Sequence, residues 1–226
     1  MNITYLKTTA ILLVSIVIFS SCLSSKTLTN SIKANIGKEL AGVKKIDASN
    51  IILKTEALTK MDSLVIVDKN KSYFIPAIVF WMWENSLNCK LNNQIYTNTF
   101  IDILNYKIGE FQLSKHLGNK VLEINIEKIP SEFKYLNKGF FYFIVYAYGY
   151  SFYEGIQPDE QTLEISYRIL EDNIEIKNKT FKKYYNTPYK DGWAGSTKLV
   201  NKYIQSLNAN FETDCNEFVT EIIDNL

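Results

Sequence analysis

The sequence predicts an α+β fold: a two-layer sandwich in which an antiparallel sheet carries helices on one face, with a C-terminal amphipathic helix. Three observations predict it. Segments between residues 121 and 181 alternate apolar and polar side chains, which is typical of antiparallel strands with one wet face. The stretch 139–153 is rich in aromatic and β-branched residues, which favour strands. After Gly195, apolar residues recur at the helical spacing of three and four positions.

The first residues of the chain are typical of an export signal. Lys7 precedes an apolar or small run over residues 8–19. The run fits the apolar region of a secretory signal peptide and is shorter than the roughly 20 residues that a membrane-spanning helix needs. Ser20 and Ser21 then place small residues immediately before Cys22. We therefore predict a signal peptide over residues 1–21.

The segment that ends at Cys22 resembles the lipobox of bacterial lipoproteins, with Phe19 where that pattern prefers leucine or another aliphatic residue. The resemblance implies that Cys22 is acylated by palmitate-type chains and becomes the first residue of the mature protein. Several acyl chains hold a protein on a membrane stably, whereas one does so only marginally. The alternative is an ordinary cleaved signal peptide with an incidental cysteine.

The residues after Cys22 bear on location and domain organisation. Residues 23–26 contain no acidic residue, which by the same resemblance implies an outer-membrane lipoprotein that faces the periplasm. The stretch 22–35 is rich in Ser, Thr, Lys and Asn, and we predict that it is a lipidated tether. The remaining residues, 36–226, are predicted to form a single α+β domain.

Strands are predicted where period-two alternation or β-branched and aromatic residues dominate. The predicted strands are 63–67, 77–83 with Pro76 at its start, 121–127, 139–153, 162–170 and 174–181. Glu171, Asp172 and Asn173 are expected to turn the chain between the last two. The stretch 139–153 is apolar on both faces. We therefore predict one central strand there, with a bulge or a close helix crossing at Gly149.

Two segments have the helical period. In the first, about 93–107, one face carries Phe100 and Leu104. The second runs from Ser196 or Thr197, either of which can cap it, to the C-terminus. Its apolar stripe belongs against the sheet.

The composition excludes several classes of partner and site. The chain has 226 residues, 46% hydrophobic and 14% aromatic, which is enough for a core and excludes a disordered chain. It has 25 basic and 24 acidic residues, with Arg168 the only arginine. Nucleic acid is not expected as a partner, because its phosphates are bound by basic fields and arginine forks. We find no metal-binding or cofactor motif and expect no cofactor.

Catalytic chemistry has few candidates. His116 is the only histidine, and it lies in a lysine-flanked stretch that resembles a solvated loop. Carboxylate pairs that could hydrolyse glycosidic bonds would come from Glu84, Glu154, Asp159 and Glu160. The simpler interpretation places these acids at solvated strand and turn positions. We therefore predict that the protein is not an enzyme.

Two cysteines remain in the predicted mature domain. Cys89 and Cys215 would lie in an oxidising compartment if the chain is exported. They either pair as a disulfide, which would close a long loop, or remain as two separate buried thiols.

The aromatic residues are the remaining candidates for a binding surface. The simpler interpretation is that they fill the core between sheet and helices. The alternative is a flat platform for a partner or for sugar rings. The candidate partner-binding residues are Trp81, Trp83, Tyr146, Tyr148, Tyr150 and Trp193.

The order of strands, hairpin and helix over about residues 120–226 resembles the small α+β lipoproteins that serve as accessory parts of envelope transport and assembly machines. The resemblance implies a non-catalytic, membrane-anchored component of the bacterial envelope that binds a protein partner. Two alternatives remain. One is a periplasmic module that binds or cleaves glycans, and the other is an immunity lipoprotein that neutralises a toxin.

Overall fold

A computed structural model describes most of the domain. The described residues are 25–36, 44–55, 62–77, 79–144, 146–158, 161–190 and 195–226. The predicted signal peptide and Cys22 lie outside them, as do Asp159, Glu160 and Trp193.

The described residues form nine strands and four helices. The strands are β1 Ile51–Lys54, β2 Val65–Pro76, β3 Phe80–Leu91, β4 Val121–Lys128, β5 Glu132–Ile144, β6 Ala147–Gln157, β7 Gln161–Glu171, β8 Ile174–Tyr185 and β9 Tyr189–Lys190. The helices are α1 Ser25–Ile36, α2 Asn93–Glu110, α3 Leu113–Leu117 and α4 Ser196–Asp224.

The strands are divided between two sheets. One has the order β1-β4-β7-β8 and the other β2-β3-β5-β6-β9. All neighbouring strands are antiparallel except β1 and β4, which are parallel. The predicted turn between β7 and β8 is confirmed. Asp172 and Asn173 have φ angles of 53° and 65°, as a tight hairpin turn requires.

The long helix α4 packs on both sheets. Its Phe218 ring lies 5.6 Å from Tyr167 and 5.4 Å from Phe181 in the four-stranded sheet. Nearer its start, the Tyr203 ring lies 5.0 Å from Phe133 in the five-stranded sheet. The α+β class and the C-terminal amphipathic helix are therefore confirmed. The apolar stripe that the sequence indicates for α4 is buried in the structure.

The two predicted helix segments are present, with different ends. Asn92 caps α2, because its side chain accepts a hydrogen bond of 2.9 Å from the Gln94 amide. The predicted cap of α4 by Ser196 or Thr197 is wrong. Ser196 is already the first helical residue, and Gly195 precedes it with φ 76° and no side-chain bond. Glycine tolerates that backbone conformation without strain.

Part of the predicted tether is helical. Residues 25–36 form α1, so the stretch predicted as a tether over 22–35 is helical from Ser25 onward. Leu28 and Ile32, spaced four apart on one helical face, are both buried. Their helix packs against β2 and α4. The polar composition of the segment concealed this because two apolar side chains suffice to dock a short helix on an existing core.

The predicted central strand over 139–153 is wrong. The chain reverses near Tyr146, so the stretch contributes the end of β5 and the start of β6, paired with each other from Ile144–Ala147 onward. Pro76 is also placed differently, as the last residue of β2 rather than the start of the next strand. Gly149 marks neither a bulge nor a helix crossing. The Tyr142 ring lies directly over it.

Candidate interaction surface

The far halves of strands β2, β3, β5 and β6 carry exposed or half-buried side chains on both faces. They contain no charged residue over 73–83 or 139–153. We name the described part of these stretches, residues 73–77, 79–83, 139–144 and 146–153, the aromatic projection. The amide of Phe143 donates a 2.8 Å hydrogen bond to the carbonyl of Val79, which holds the two hairpins side by side at the far end.

One side of the projection continues the core-facing side of the sheet. Directly opposed residues of antiparallel strands lie on the same face. Trp81 pairs with Phe141, and Phe141 pairs in turn with Tyr150. In the same alternation, Leu87 and Cys89 are buried in the core. This inner face of the projection consists of Phe74, Pro76, Trp81, Trp83, Phe141, Phe143, Tyr148, Tyr150 and Phe152.

The inner face is not covered as the core is. Trp81 and Trp83 are half-buried, the first by stacking on Phe141 at 5.1 Å between ring centroids. Tyr148 is 71% exposed and Tyr150 67% exposed. Burying an aromatic ring lowers the free energy in proportion to the area removed from water. The rings of Tyr148 and Tyr150 remain in water and do not contribute this stabilisation. The projection is therefore apolar surface that the described domain leaves open.

The outer face is also apolar. It carries Ile75, Phe80, Met82, Phe140 and Tyr142. The rings of Phe140 and Tyr142 stack at 6.3 Å with 13° between their planes.

The turns at the far end of the projection are apolar as well. Of the described residues there, Ala77, Val79 and Tyr146 stand where hairpin turns ordinarily carry Gly, Asn or Asp. Tyr146 is 99% exposed. By contrast, the β7–β8 turn of the same chain carries Asp172 and Asn173, which are residue types usual for a hairpin turn. Both faces and both turns of the projection thus share one unusual composition.

A charged row ends the projection on its outer face. Glu84 and Lys71 form an ion pair of 3.0 Å, and the Tyr73 hydroxyl donates to the same carboxylate at 3.2 Å. Lys138 lies opposite Glu84 on β5. The hydrogen bond from Lys71 lowers the pKa of Glu84 below its ordinary value. The carboxylate is therefore ionised at neutral pH, and this row marks where the uncharged surface ends.

Polar groups also end the inner face. The Trp83 indole N–H donates a 2.9 Å hydrogen bond to the Asn137 side chain. Directly opposite Asn137, the buried Glu154 accepts a 2.5 Å hydrogen bond from the Tyr135 hydroxyl. Burial and this bond raise the pKa of Tyr135. Glu154 therefore has a structural partner at the base of the projection.

The predicted carboxylate candidates do not meet. Glu84 lies on the outer face and Glu154 on the inner face, so the sheet separates them. The other two candidates are outside the described residues. A pair acting on one glycosidic bond must approach the same substrate from one site. These two acids cannot do so.

The other candidate groups are placed without forming a site. His116 is exposed in the short helix α3, which replaces the predicted loop. Across the described ranges, no group of three or more His, Cys, Asp or Glu side chains could hold a metal ion. A cavity of about 420 Å³ lies between β8 and α4. The buried Asp214 at its wall already accepts a hydrogen bond from Tyr185.

Cys89 and Cys215 are both buried and both free thiols in the structure. Burial raises the pKa of Cys89 to about 12 and that of Cys215 further. We expect neither to react with iodoacetamide at pH 8 in the folded protein, because the thiolate is the reactive form. Both should react in urea without a reducing agent. Mass spectrometry counts the alkylated thiols, and a requirement for reductant would contradict the free-thiol arrangement.

The fold and this surface together define an α+β protein with an exposed aromatic projection. Comparison of the chain with protein-family models, curated proteins and solved structures finds no match. Of the helices that the structure describes, none is both long and apolar enough to cross a membrane.

Proposed function

We propose that the protein is a membrane-anchored, non-catalytic component of the bacterial envelope that acts by binding, as a scaffold or a transport accessory. The observation that carries the proposal is the aromatic projection. Tyrosine and tryptophan are favoured at contact surfaces because each combines a large apolar area with a polar group. The projection presents them on four hydrogen-bonded strands, so their backbone is already ordered before binding.

The anchor in this proposal is a lipid on Cys22. Helix α1 begins at Ser25, three positions later, and is docked on the domain. Three residues of extended chain reach about 10 Å at most. An acylated Cys22 would therefore hold the folded domain close to the bilayer rather than at the end of a long tether. We place that bilayer at the outer membrane, with the domain in the periplasm.

Two measurements on cells test the proposal. Metabolic palmitate labelling should mark the parent protein and not the Cys22→Ala variant. Chemical cross-linking in intact membranes should join the parent to an envelope partner. The double variant Tyr148→Ser/Tyr150→Ser should lose that product, because it removes exposed rings from the projection.

A matched control separates surface loss from unfolding. Tyr184 is exposed on β8, which belongs to the other sheet, and Tyr184→Ser should retain the cross-linked product. Equal labelling of the parent and the Cys22→Ala variant would overturn the anchor. An unchanged cross-linking pattern in the Tyr148/Tyr150 variant would overturn the binding role of the projection.

A further inference from the structure

We propose that the aromatic projection enters a lipid bilayer. This inference rests on the proposed function in one respect: it takes the projection as the binding surface of the protein. It adds the identity of what covers that surface.

The distribution of apolar groups favours a bilayer over a protein partner. The inner face, the outer face and both turns of the projection are all apolar, as in Tyr148, Phe140 and Tyr146. A protein that docks on one face of a sheet leaves the other face and the turns in water. A bilayer surrounds all of them at once.

The length of the uncharged surface suits a bilayer. On β5, Ile144 at the far end lies six positions beyond Lys138 in the charged row. At about 3.3 Å per residue this is about 20 Å, against about 15 Å for the hydrocarbon of one leaflet. An upright projection would therefore place its turns beyond the middle of the bilayer, with the charged row at the headgroups.

The residues beside the charged row match a membrane interface. Tyr73 and Tyr153 lie in the row itself, opposite Glu84 and Lys138, and Trp83 is one residue above it. Aromatic belts mark the headgroup level of membrane proteins. The Lys138 ammonium lies 5.5 Å from the centre of the Tyr153 ring. Lys138 and Lys71 have long apolar stems that let their ammonium groups reach the headgroups.

The two edge strands of the projection place a requirement on entry into a bilayer. Strand β2 is at the sheet edge, and β9 pairs with β6 only at Gly155 and Ile156. Among the described strands, none pairs with the far half of β6. Hydrocarbon offers no hydrogen-bond partner for such backbone groups. Membrane entry therefore requires that these edges be paired.

A second copy of the chain can pair them. Successive antiparallel pairing from β2 to β3, β5 and β6 makes β2 and β6 antiparallel to one another. The β2 edge of one copy can therefore continue the sheet beyond the β6 edge of the next, in the same antiparallel pattern. Bilayer entry and side-by-side association of copies are thus one coupled event.

Flotation with liposomes tests bilayer entry directly. The complete mature chain carrying Cys22→Ala, which has no acyl anchor, is mixed with vesicles of phosphatidylethanolamine and phosphatidylglycerol. It should float with them on a density gradient. For the variant Ile144→Lys/Tyr148→Lys, the floated fraction should fall by about tenfold or more, because charged side chains are costly in hydrocarbon.

The chain offers a matched control for this variant. Ile174 and Tyr184 are an equally exposed isoleucine and tyrosine on β8. Ile174→Lys/Tyr184→Lys should float like the parent. Cross-linking of the floated fraction should give multimers, and the same protein without vesicles should give less. A floated protein that remains monomeric would overturn edge pairing.

The outcomes separate this inference from the proposed function. If the Cys22→Ala chain stays in the lipid-free fraction, or if both lysine variants float equally, bilayer entry is overturned. The proposed function would still stand if Tyr148 and Tyr150 were needed for cross-linking to an envelope protein in cells. Loss of both results would overturn both.

Discussion

Replacement of Phe218 by alanine is expected to lower the free energy of unfolding by about 3–5 kcal/mol. The Phe218 side chain is fully buried. It meets Tyr167 and Phe181 edge to face, with interplanar angles of 82° and 61°. Its loss removes both contacts and leaves a cavity between α4 and the four-stranded sheet, which a helix held by both sheets cannot collapse to fill.

Urea denaturation followed by circular dichroism and tryptophan fluorescence measures this change. The control is Tyr184→Ala, which also truncates an aromatic residue to alanine. Tyr184 is 73% exposed, so its replacement should change the free energy of unfolding by about 0.5 kcal/mol or less. A Phe218→Ala protein as stable as the control would show that α4 does not pack on this sheet.

The substitution Gly139→Ala is expected to destabilise the protein by about 1–3 kcal/mol. A Cβ on Gly139 would lie 2.5 Å from the carbonyl oxygen of Ser151 and also against the Trp83 ring. Backbone and a large ring both border the site, so relief requires β5 and β6 to separate and Trp83 to move. The latter would break its hydrogen bond to Asn137.

The same substitution elsewhere in the chain should have the opposite sign. Gly109 lies in α2 with no atom within 4 Å of its added Cβ. Gly109→Ala should stabilise the protein by about 0.5–1 kcal/mol, since alanine is the better helix former. Thermal unfolding of the two variants measures the difference. If Gly139→Ala also raised the melting temperature, the close contact between Trp83 and β5 would be contradicted.

The regular part of the fold was predictable from local pattern. Strands β4 and β7 bury alternate apolar residues, so alternation identified them, and the Asp172–Asn173 turn identified the hairpin to β8. In β8 only Phe181 and Tyr185 are buried, although its sequence alternates at the start. The parallel pairing of β1 with β4 was not predictable. It joins a four-residue strand to a partner beginning at Val121, and only tertiary structure brings such distant segments together.

The projection explains why the sequence pattern alone gave a wrong strand prediction for residues 139–153. Aromatic residues on both faces are the usual sign of a central buried strand, and the sequence does not state what covers them. The turn near Tyr146 lacks Gly, Asn and Asp, so no local signal marked it. Tyr146, Tyr148 and Tyr150 were identified as surface candidates. Phe141 and Phe143 were missed because their pairing partners were unknown.

The docking of α1 bears on the order in which the parts of the chain can fold. Helix α1 lies against α4, about 160 positions later in the sequence. Contacts this distant form late, because a large loop must close first. Residues 25–36 can meet β2 earlier, but they complete their docking only after residues 196–224 have folded. If Cys22 is acylated as proposed, the lipid can be attached before this docking is complete, and the last step of folding then brings the domain close to the bilayer.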